Sequence, residues 1–414
     1  MTGTGTPILT TALIPGSADR PGDDPIFALH AEAARRAGAG NSVLDATIGA
    51  LMEDDGRLAI MPSVYEAIRR VEPERAAAYA PISGPPDFLA AVIRDLYDGS
   101  VLAQNALAVA TPGGTGAVHH AIVNFLEPGQ RLLTSSYYWG PYRILAEHTR
   151  RGIETFEMFD GGGRLDLDAF ERALSRLVDE QGRALIVLNS PCHNPTGYSF
   201  DDGEWKRLVE IVGAAGERAP TALLLDAAYA RFGSSMDWVR QVEPLLGRAT
   251  LLVAWTASKA FAQYGSRIGA LVAAHPDPDE RLRIKNALGY SCRGTWSNCN
   301  HLGMLAITEL LTDPVLSEHS RRQRDRLRGI LAERVAAFNE LASEAGLSYP
   351  RYEGGFFVAV FTSNAIGTSE RMKEEGVFVV PLEGAVRVAL CATPKTDVPR
   401  LVQALERGVR AAGG

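Results

Sequence analysis

Between Leu107 and Ala273 the sequence repeats one pattern, a short β-rich run followed by a longer helical stretch. The runs are Leu107–Thr111, Arg131–Ser135, Ala184–Asn189 (ALIVLN), Thr221–Asp226 (TALLLD), Thr250–Trp255 (TLLVAW) and Ile268–Ala273 (IGALVA). Gly203–Ala214 is one of the helical stretches between them. Apolar runs without polar alternation are strands buried on both faces, and intervening helices are the crossovers that parallel pairing needs. The pattern predicts an α/β fold built on a mainly parallel sheet covered by helices. Chemistry in such a sheet sits in the loops beyond the strand C-termini.

After Asp313 the texture changes. Ser317–Ala342 reads as one charged amphipathic helix, with Leu327, Ile330, Leu331, Val335, Phe338 and Leu341 on one face. Phe356–Phe361, Val377–Val380 and Val386–Leu390 read as short strands, and a last helix starts near Asp397. This is a smaller α+β unit, and the N-terminal stretch to about residue 58 is its expected partner. The division that follows is a flexible arm at 1–23, a small-domain segment at 24–58, a large domain at 59–316, and a second small-domain segment at 317–414.

Composition narrows the function classes. With 46% hydrophobic and 22% charged residues, the 414-residue chain has the balance of a globular protein and not of a disordered or fibrous one. The net charge of −7 argues against a dedicated nucleic-acid binder but allows a local anion pocket. Cys192, Cys292, Cys299 and Cys391 show no CxxC spacing, so no metal cage or disulfide framework is expected. No apolar run approaches the ~20 residues that span a bilayer. The N-terminus lacks a basic segment ahead of a long apolar one. The expectation is a cytoplasmic protein with reduced thiols and neither membrane nor nucleic-acid partners.

Four loop segments carry candidate chemistry. Lys259 follows a strand amid small residues, in VAWTASKAFAQYGSRIG. Desolvation makes such an amine a nucleophile, although a loop lysine can also be merely solvated. Asp226 ends an apolar strand, with Tyr229 three residues on. It is placed either to pair with a protonated ring nitrogen or to cap a helix. Asn194 opens the tight turn Asn194-Pro195-Thr196-Gly197, a ligand contact or a plain turn. Gly113-Gly114-Thr115-Gly116 links a strand to a helix, and exposed N–H groups there attract phosphate, though no P-loop lysine follows.

Taken in order, these segments are more specific than any one alone. A Gly-rich turn, Trp139, NPTG, D-x-x-Y and SK-x7-R all fall at expected strand ends. From about Asp24 to the C-terminus the chain resembles the class I aminotransferases of fold type I, closest to the aspartate/aromatic branch, which use pyridoxal 5′-phosphate. The resemblance implies a seven-stranded, mainly parallel sheet in the large domain and a small domain made from both chain ends.

The resemblance also implies roles. Lys259 holds the cofactor covalently and later moves the proton. Asp226 pairs with the pyridine nitrogen, while Asn194 and Tyr229 bond the phenolate oxygen. Trp139 stacks on the ring. Gly114, Thr115, Thr256, Ser258 and Arg267 form the phosphate cup. Tyr79 reaches a neighbouring subunit's phosphate, which implies a homodimer with shared active sites. Arg387 binds the substrate α-carboxylate, and Arg293 binds a side-chain carboxylate across the dimer. Gly49 lets backbone close over the substrate.

The implied activity moves an amino group between a dicarboxylic or aromatic L-amino acid and a 2-oxo acid. The same residues also suit β/γ-elimination, replacement or C–C bond formation. Several positions depart from the family pattern. Gly113 removes a hydroxyl from the phosphate cup. Tyr142 replaces a histidine, and the expectation is that Asp226 thereby loses a partner. DATIGALM brings Leu51 in place of an aromatic residue, and Cys299-Asn300 stands where a proline pair is common.

Overall fold

The computed structural model describes residues 11–22, 24–233 and 237–413. Residues 1–10 and 23 of the expected N-terminal arm lie outside the described residues; the rest of it carries one short helix, Pro15–Ala18. Strands are numbered along the chain, with β1 the short Leu44–Asp45.

Seven strands form the large sheet. They are β2 (Ala106–Pro112), β3 (Arg131–Ser135), β4 (Gly152–Phe156), β5 (Ala184–Asn189), β6 (Thr221–Asp226), β7 (Thr250–Thr256) and β8 (Ile268–Ala274), in the order β2-β8-β7-β6-β5-β3-β4. β8 alone runs against the other six. Every residue of β5, β6 and β8 is buried, as continuous apolar runs require. Alternate residues face opposite cores: Leu185 and Val187 belong to one apolar cluster, Ile186 and Leu188 to the other. β4 is the strand that the apolar pattern overlooks. It lies at the sheet edge, and its residues GIETF are mostly part-exposed, so no apolar run marks it.

The C-terminal elements build a second, smaller layer. β9 (Phe357–Phe361), β11 (Val380–Leu382) and β12 (Ala385–Ala389) make an antiparallel sheet in the order β11-β12-β9. β10 (Val377–Phe378) leaves that sheet and pairs in parallel with β1. The single strand expected over 377–380 is thus divided between two partners, and the N-terminal residues are joined to the C-terminal ones. The helix Pro314–Glu344 is capped by Asp313, whose Oδ1 accepts from Val315 and Leu316 N–H at 2.9 Å each. Its apolar face buries Leu327, Leu331, Val335 and Phe338. Arg334 lies on that same face and is fully buried. Its guanidinium reaches the carbonyls of Met52 at 2.7 Å and Cys391 at 2.8 Å, and Asp54 Oδ1 at 2.8 Å. A buried charge is tolerated where such acceptors meet it; here both Nη atoms are satisfied and Nε has no partner.

Candidate active site

The direction of β8 decides where a site can form. β2 and β7 are both antiparallel to β8, so they run parallel to each other and, with β3, β5 and β6, end at one edge. β8 starts at that same edge, which returns Arg267 to the loops that follow the other strands. Thirteen residues line the resulting cavity. They include Gly114, Thr115, Trp139, Asn194, Asp226, Tyr229, Thr256, Ser258, Lys259 and Arg267, all named from the sequence.

One end of the cavity is built for an anion. Arg267 Nη1 donates to Tyr264 O at 2.9 Å and to Ser258 Oγ at 3.3 Å. Its Nη2 donates to Pro112 O at 3.3 Å and Thr115 Oγ1 at 3.5 Å. All of these acceptors are neutral, so the guanidinium charge is left for a ligand. Ser258 Oγ and Thr256 Oγ1 lie 3.0 Å apart beside it. Gly113, which the sequence marks only as a missing hydroxyl, has its own reason. Its φ is +72°, and a Cβ there stands 2.4 Å from Arg267 Nη2. A side chain at 113 and this arginine position are incompatible.

Lys259 sits in the short helix Ala257–Ala260, directly after β7. Its Nζ donates to the Gly49 carbonyl at 2.7 Å and lies 4.6 Å from the centroid of the Tyr264 ring. Burial pulls its amine down to about 8, and the nearby charges of Arg267 and Arg387 act in the same direction. Gly49 is constrained as well, since a Cβ there stands 2.7 Å from Phe357 Cζ.

Across the cavity, Asp226 is buried at the last position of β6. Its Oδ1 accepts from Ala228 N–H at 3.1 Å and its Oδ2 from Tyr142 Oη at 2.8 Å. Asp226 therefore keeps a partner, and the expectation drawn from Tyr142 is corrected. The phenol is long enough to reach from the first turn of the helix Pro141–His148. Burial pushes the Asp226 carboxyl up, while the Tyr142 and Ala228 bonds pull it back. Asn189 Nδ2 donates to the Asp226 carbonyl at 2.7 Å, and Asn189 Oδ1 accepts from Asn194 N–H at 2.6 Å. This ties the NPTG turn to the end of β6. Asn194 Nδ2 reaches Tyr229 Oη at 3.4 Å.

The substrate candidates separate into two groups. Arg387, on β12, is buried over the Phe357 ring at 4.4 Å. Its Nη2 donates to Thr47 O at 2.6 Å, its Nη1 reaches Asn194 Oδ1 at 3.5 Å, and its Nε has no partner. The buried guanidinium thus has neutral partners at both Nη atoms, one unpaired donor and no acidic partner among the described residues, which suits a carboxylate. Arg387 and Gly49 stand just behind the cavity lining, bonded to Asn194 and Lys259, whereas Tyr79 and Arg293 neither line the cavity of this chain nor bond to residues that do. Tyr79 is 91% exposed, and the exposed Arg293 donates only to Ser297 Oγ, at 2.5 Å. The sequence pattern does not mark Tyr264, which lines the cavity and accepts from Leu51 N–H at 2.9 Å, or the hydroxyl contact of Tyr142. Its one available signal is the Tyr264 position, between Lys259 and Arg267. Among the described residues no cluster of ligands suits a metal ion, and no helix is long and apolar enough to cross a membrane.

This arrangement joins a lowered amine, a buried carboxylate and an anion cup. A family model for aminotransferase class I and II matches residues 42–405. The chain belongs to that family. It is accordingly an enzyme, an amino-acid aminotransferase. Tyrosine aminotransferase of Klebsiella pneumoniae is 28% identical over 361 residues, covering 83% of this chain and 88% of that protein. The crystal structure of an aminotransferase from Anaerococcus prevotii superposes with a TM-score of 0.91 at 30% identity, over 97% of this chain and all of the other. The aromatic-amino-acid aminotransferase of Burkholderia pseudomallei, solved covalently bound to pyridoxal phosphate, gives a TM-score of 0.80 at 24% identity. It spans 96% of this chain and 100% of that one.

Proposed function

We propose that this aminotransferase uses pyridoxal 5′-phosphate in the cavity at the strand-end edge and acts on aromatic or dicarboxylic L-amino acids with a 2-oxo acid partner. The observation that carries the reading is the Lys259 amine, held at about 8 and facing buried Asp226 within a cup completed by Arg267. The residues fit the group. Arg267 has charge unspent on any acid, the hydroxyls of Ser258 and Thr256 stand beside it, and Arg387 keeps one donor without a partner. When bound, the cofactor supplies an electron sink conjugated to the carbon that loses its proton.

The side chains then have separable tasks. Asp226 keeps the pyridine nitrogen protonated, and Asn194 and Tyr229 bond the ring's phenolate oxygen. Trp139 covers one ring face. Gly114, Thr115, Thr256, Ser258 and Arg267 hold the phosphate. Lys259 Nζ would hold the cofactor and would take the proton from the substrate Cα. Arg387 grips the α-carboxylate with its planar fork, which orients that Cα toward Lys259. Gly49 keeps backbone close above the substrate.

Tyr79 and Arg293 act on the site of a second copy, so the working unit is a homodimer. Their exposure supports this, as does the apolar surface around them, where Tyr290 is 84% and Ile82 is 42% exposed. The parallel β1–β10 pair supports a small domain of residues 24–58 and 317–414 beside a large domain of 59–316. The free thiols support a reducing, cytoplasmic setting.

The test is a half-reaction. The protein loaded with pyridoxal phosphate is mixed with single L-amino acids, and the visible spectrum and the released 2-oxo acid are followed. Glutamate, aspartate, tyrosine and phenylalanine are expected to convert the bound cofactor to its amine form with an equal amount of 2-oxo acid. Ammonia or a carbon-bond product without the matching 2-oxo acid sinks the reading.

A further inference from the structure

Behind the two groups assigned to the cofactor ring, Asp226 and Trp139, stands one side chain that does not reach the cavity. Tyr142 is 1% exposed and is absent from the cavity lining, yet it touches both. Its hydroxyl donates to Asp226 Oδ2 at 2.8 Å. Its ring meets the Trp139 ring edge-on, with centroids 5.5 Å apart and planes at 87°. The backbone joins the same pair, because Tyr142 N–H donates to the Trp139 carbonyl at 2.9 Å. Tyr138 stacks alongside, with centroids 6.5 Å apart and planes at 9°. Tyr142 also belongs to the apolar cluster that holds Ala146, Leu185 and Leu224, so its ring has little room to swing.

The geometry at Asp226 gives this contact a consequence. The terminal torsion of an aspartate is broad and poorly restrained by its own sterics. A single donor leaves the carboxylate free to pivot about that bond. Here Ala228 N–H holds Oδ1 and Tyr142 holds Oδ2, so both ends of the carboxylate are pinned. Burial also drives the Tyr142 hydroxyl well above the usual phenol range, aided by the Asp226 charge, so the group remains a donor.

We propose that Tyr142 is a positioning residue of this active site: its hydroxyl sets the plane of the Asp226 carboxylate while its ring edge sets the tilt of Trp139. One buried side chain thereby aligns the two groups that grip the cofactor ring. The inference rests on the proposed placement of that ring against Asp226 and Trp139.

The test uses the full chain stripped of cofactor and titrated with pyridoxal 5′-phosphate. Four variants are compared with the parent: Y142F, Y142H, D226N and Y142F/D226N. The readouts are the Kd and the visible circular dichroism per bound cofactor. Y142F is expected to raise the Kd about tenfold, the scale of one hydrogen bond to a buried charge. It is also expected to change the dichroism, while the cofactor-free protein melts within about 5 °C of the parent. In the D226N background Y142F shifts the Kd by less than about twofold, since the two residues act as one unit. Y142H, which restores a ring N–H donor, binds more tightly than Y142F and keeps the test open if Y142F does not fold. An unchanged Kd and dichroism in Y142F overturns the proposal, as does a tenfold loss in both backgrounds or binding by Y142H as weak as D226N. An unchanged D226N instead overturns the placement of the cofactor ring, and the proposal with it.

Discussion

Lys259 and Arg293 are both cations assigned to one active site, and the fold treats them differently. Lys259 lies at the strand-end edge of the large sheet, bonded to Gly49 O and packed on the Tyr264 ring. Around it, Asp226, Asn194 and Arg387 are buried and interlinked within the same chain. Arg293 lies on the outer helix Pro278–Thr295 and is exposed, as is Tyr79 on the neighbouring loop. That loop and helix pack together, with Cys292 Sγ 3.0 Å from the Ile82 carbonyl. One chain thus assembles the end of the site proposed to meet the cofactor and the α-carboxylate. It leaves Arg293 and Tyr79 on its surface, where the proposed homodimer would bring them to the site of a second copy.

The contrast can be broken at either end. The largest expected effect is at Lys259: K259A should lower turnover by at least about four orders of magnitude and remove the visible absorbance of bound cofactor. Retained turnover in steady-state assays ends the assignment. R387A should lower kcat/KM about 100- to 1000-fold for every amino acid tested, because a charge-assisted bidentate pair is lost. R387K should recover little of it, since an ammonium cannot reproduce the fork. R293A should act on dicarboxylic substrates alone, by about thirtyfold, and leave aromatic ones nearly unchanged. Equal losses on both classes erase the distinction between the two regions.

The smallest effect is a pH dependence. An amine lowered to about 8 is mostly protonated at pH 7 and mostly neutral at pH 9. Uptake of pyridoxal phosphate by the cofactor-free protein should therefore rise about fivefold to tenfold from pH 7 to 9 and then level. Stopped-flow rates that keep climbing through pH 10 contradict the burial of Lys259.

Much of the site was legible because its residues are tied to strand ends. An apolar run that stops at Asp226, or just before Lys259, also says where the side chain emerges. β4 was not legible, since an edge strand with one solvated side has no apolar run. The division of residues 377–380 between β10 and β11 was hidden for another reason: strand partners are chosen by tertiary contact and not by local pattern. Arg334 was hidden by its charge. Its buried role depends on carbonyls contributed by Met52 and Cys391, distant in sequence.

The sequence by itself determined the two-sided sheet and the order of chemical groups along its edge, and that order carries the resemblance to the family. The sheet and the order follow from local periodicity and from short-range spacing, which need no partner to be read. Only the tertiary structure decided that Gly113 makes room for Arg267, and that Tyr142 supplies Asp226 with the donor it was expected to lose. Both are contacts between residues far apart in the chain. Their fit depends on ångström-scale distances that residue identity alone does not carry.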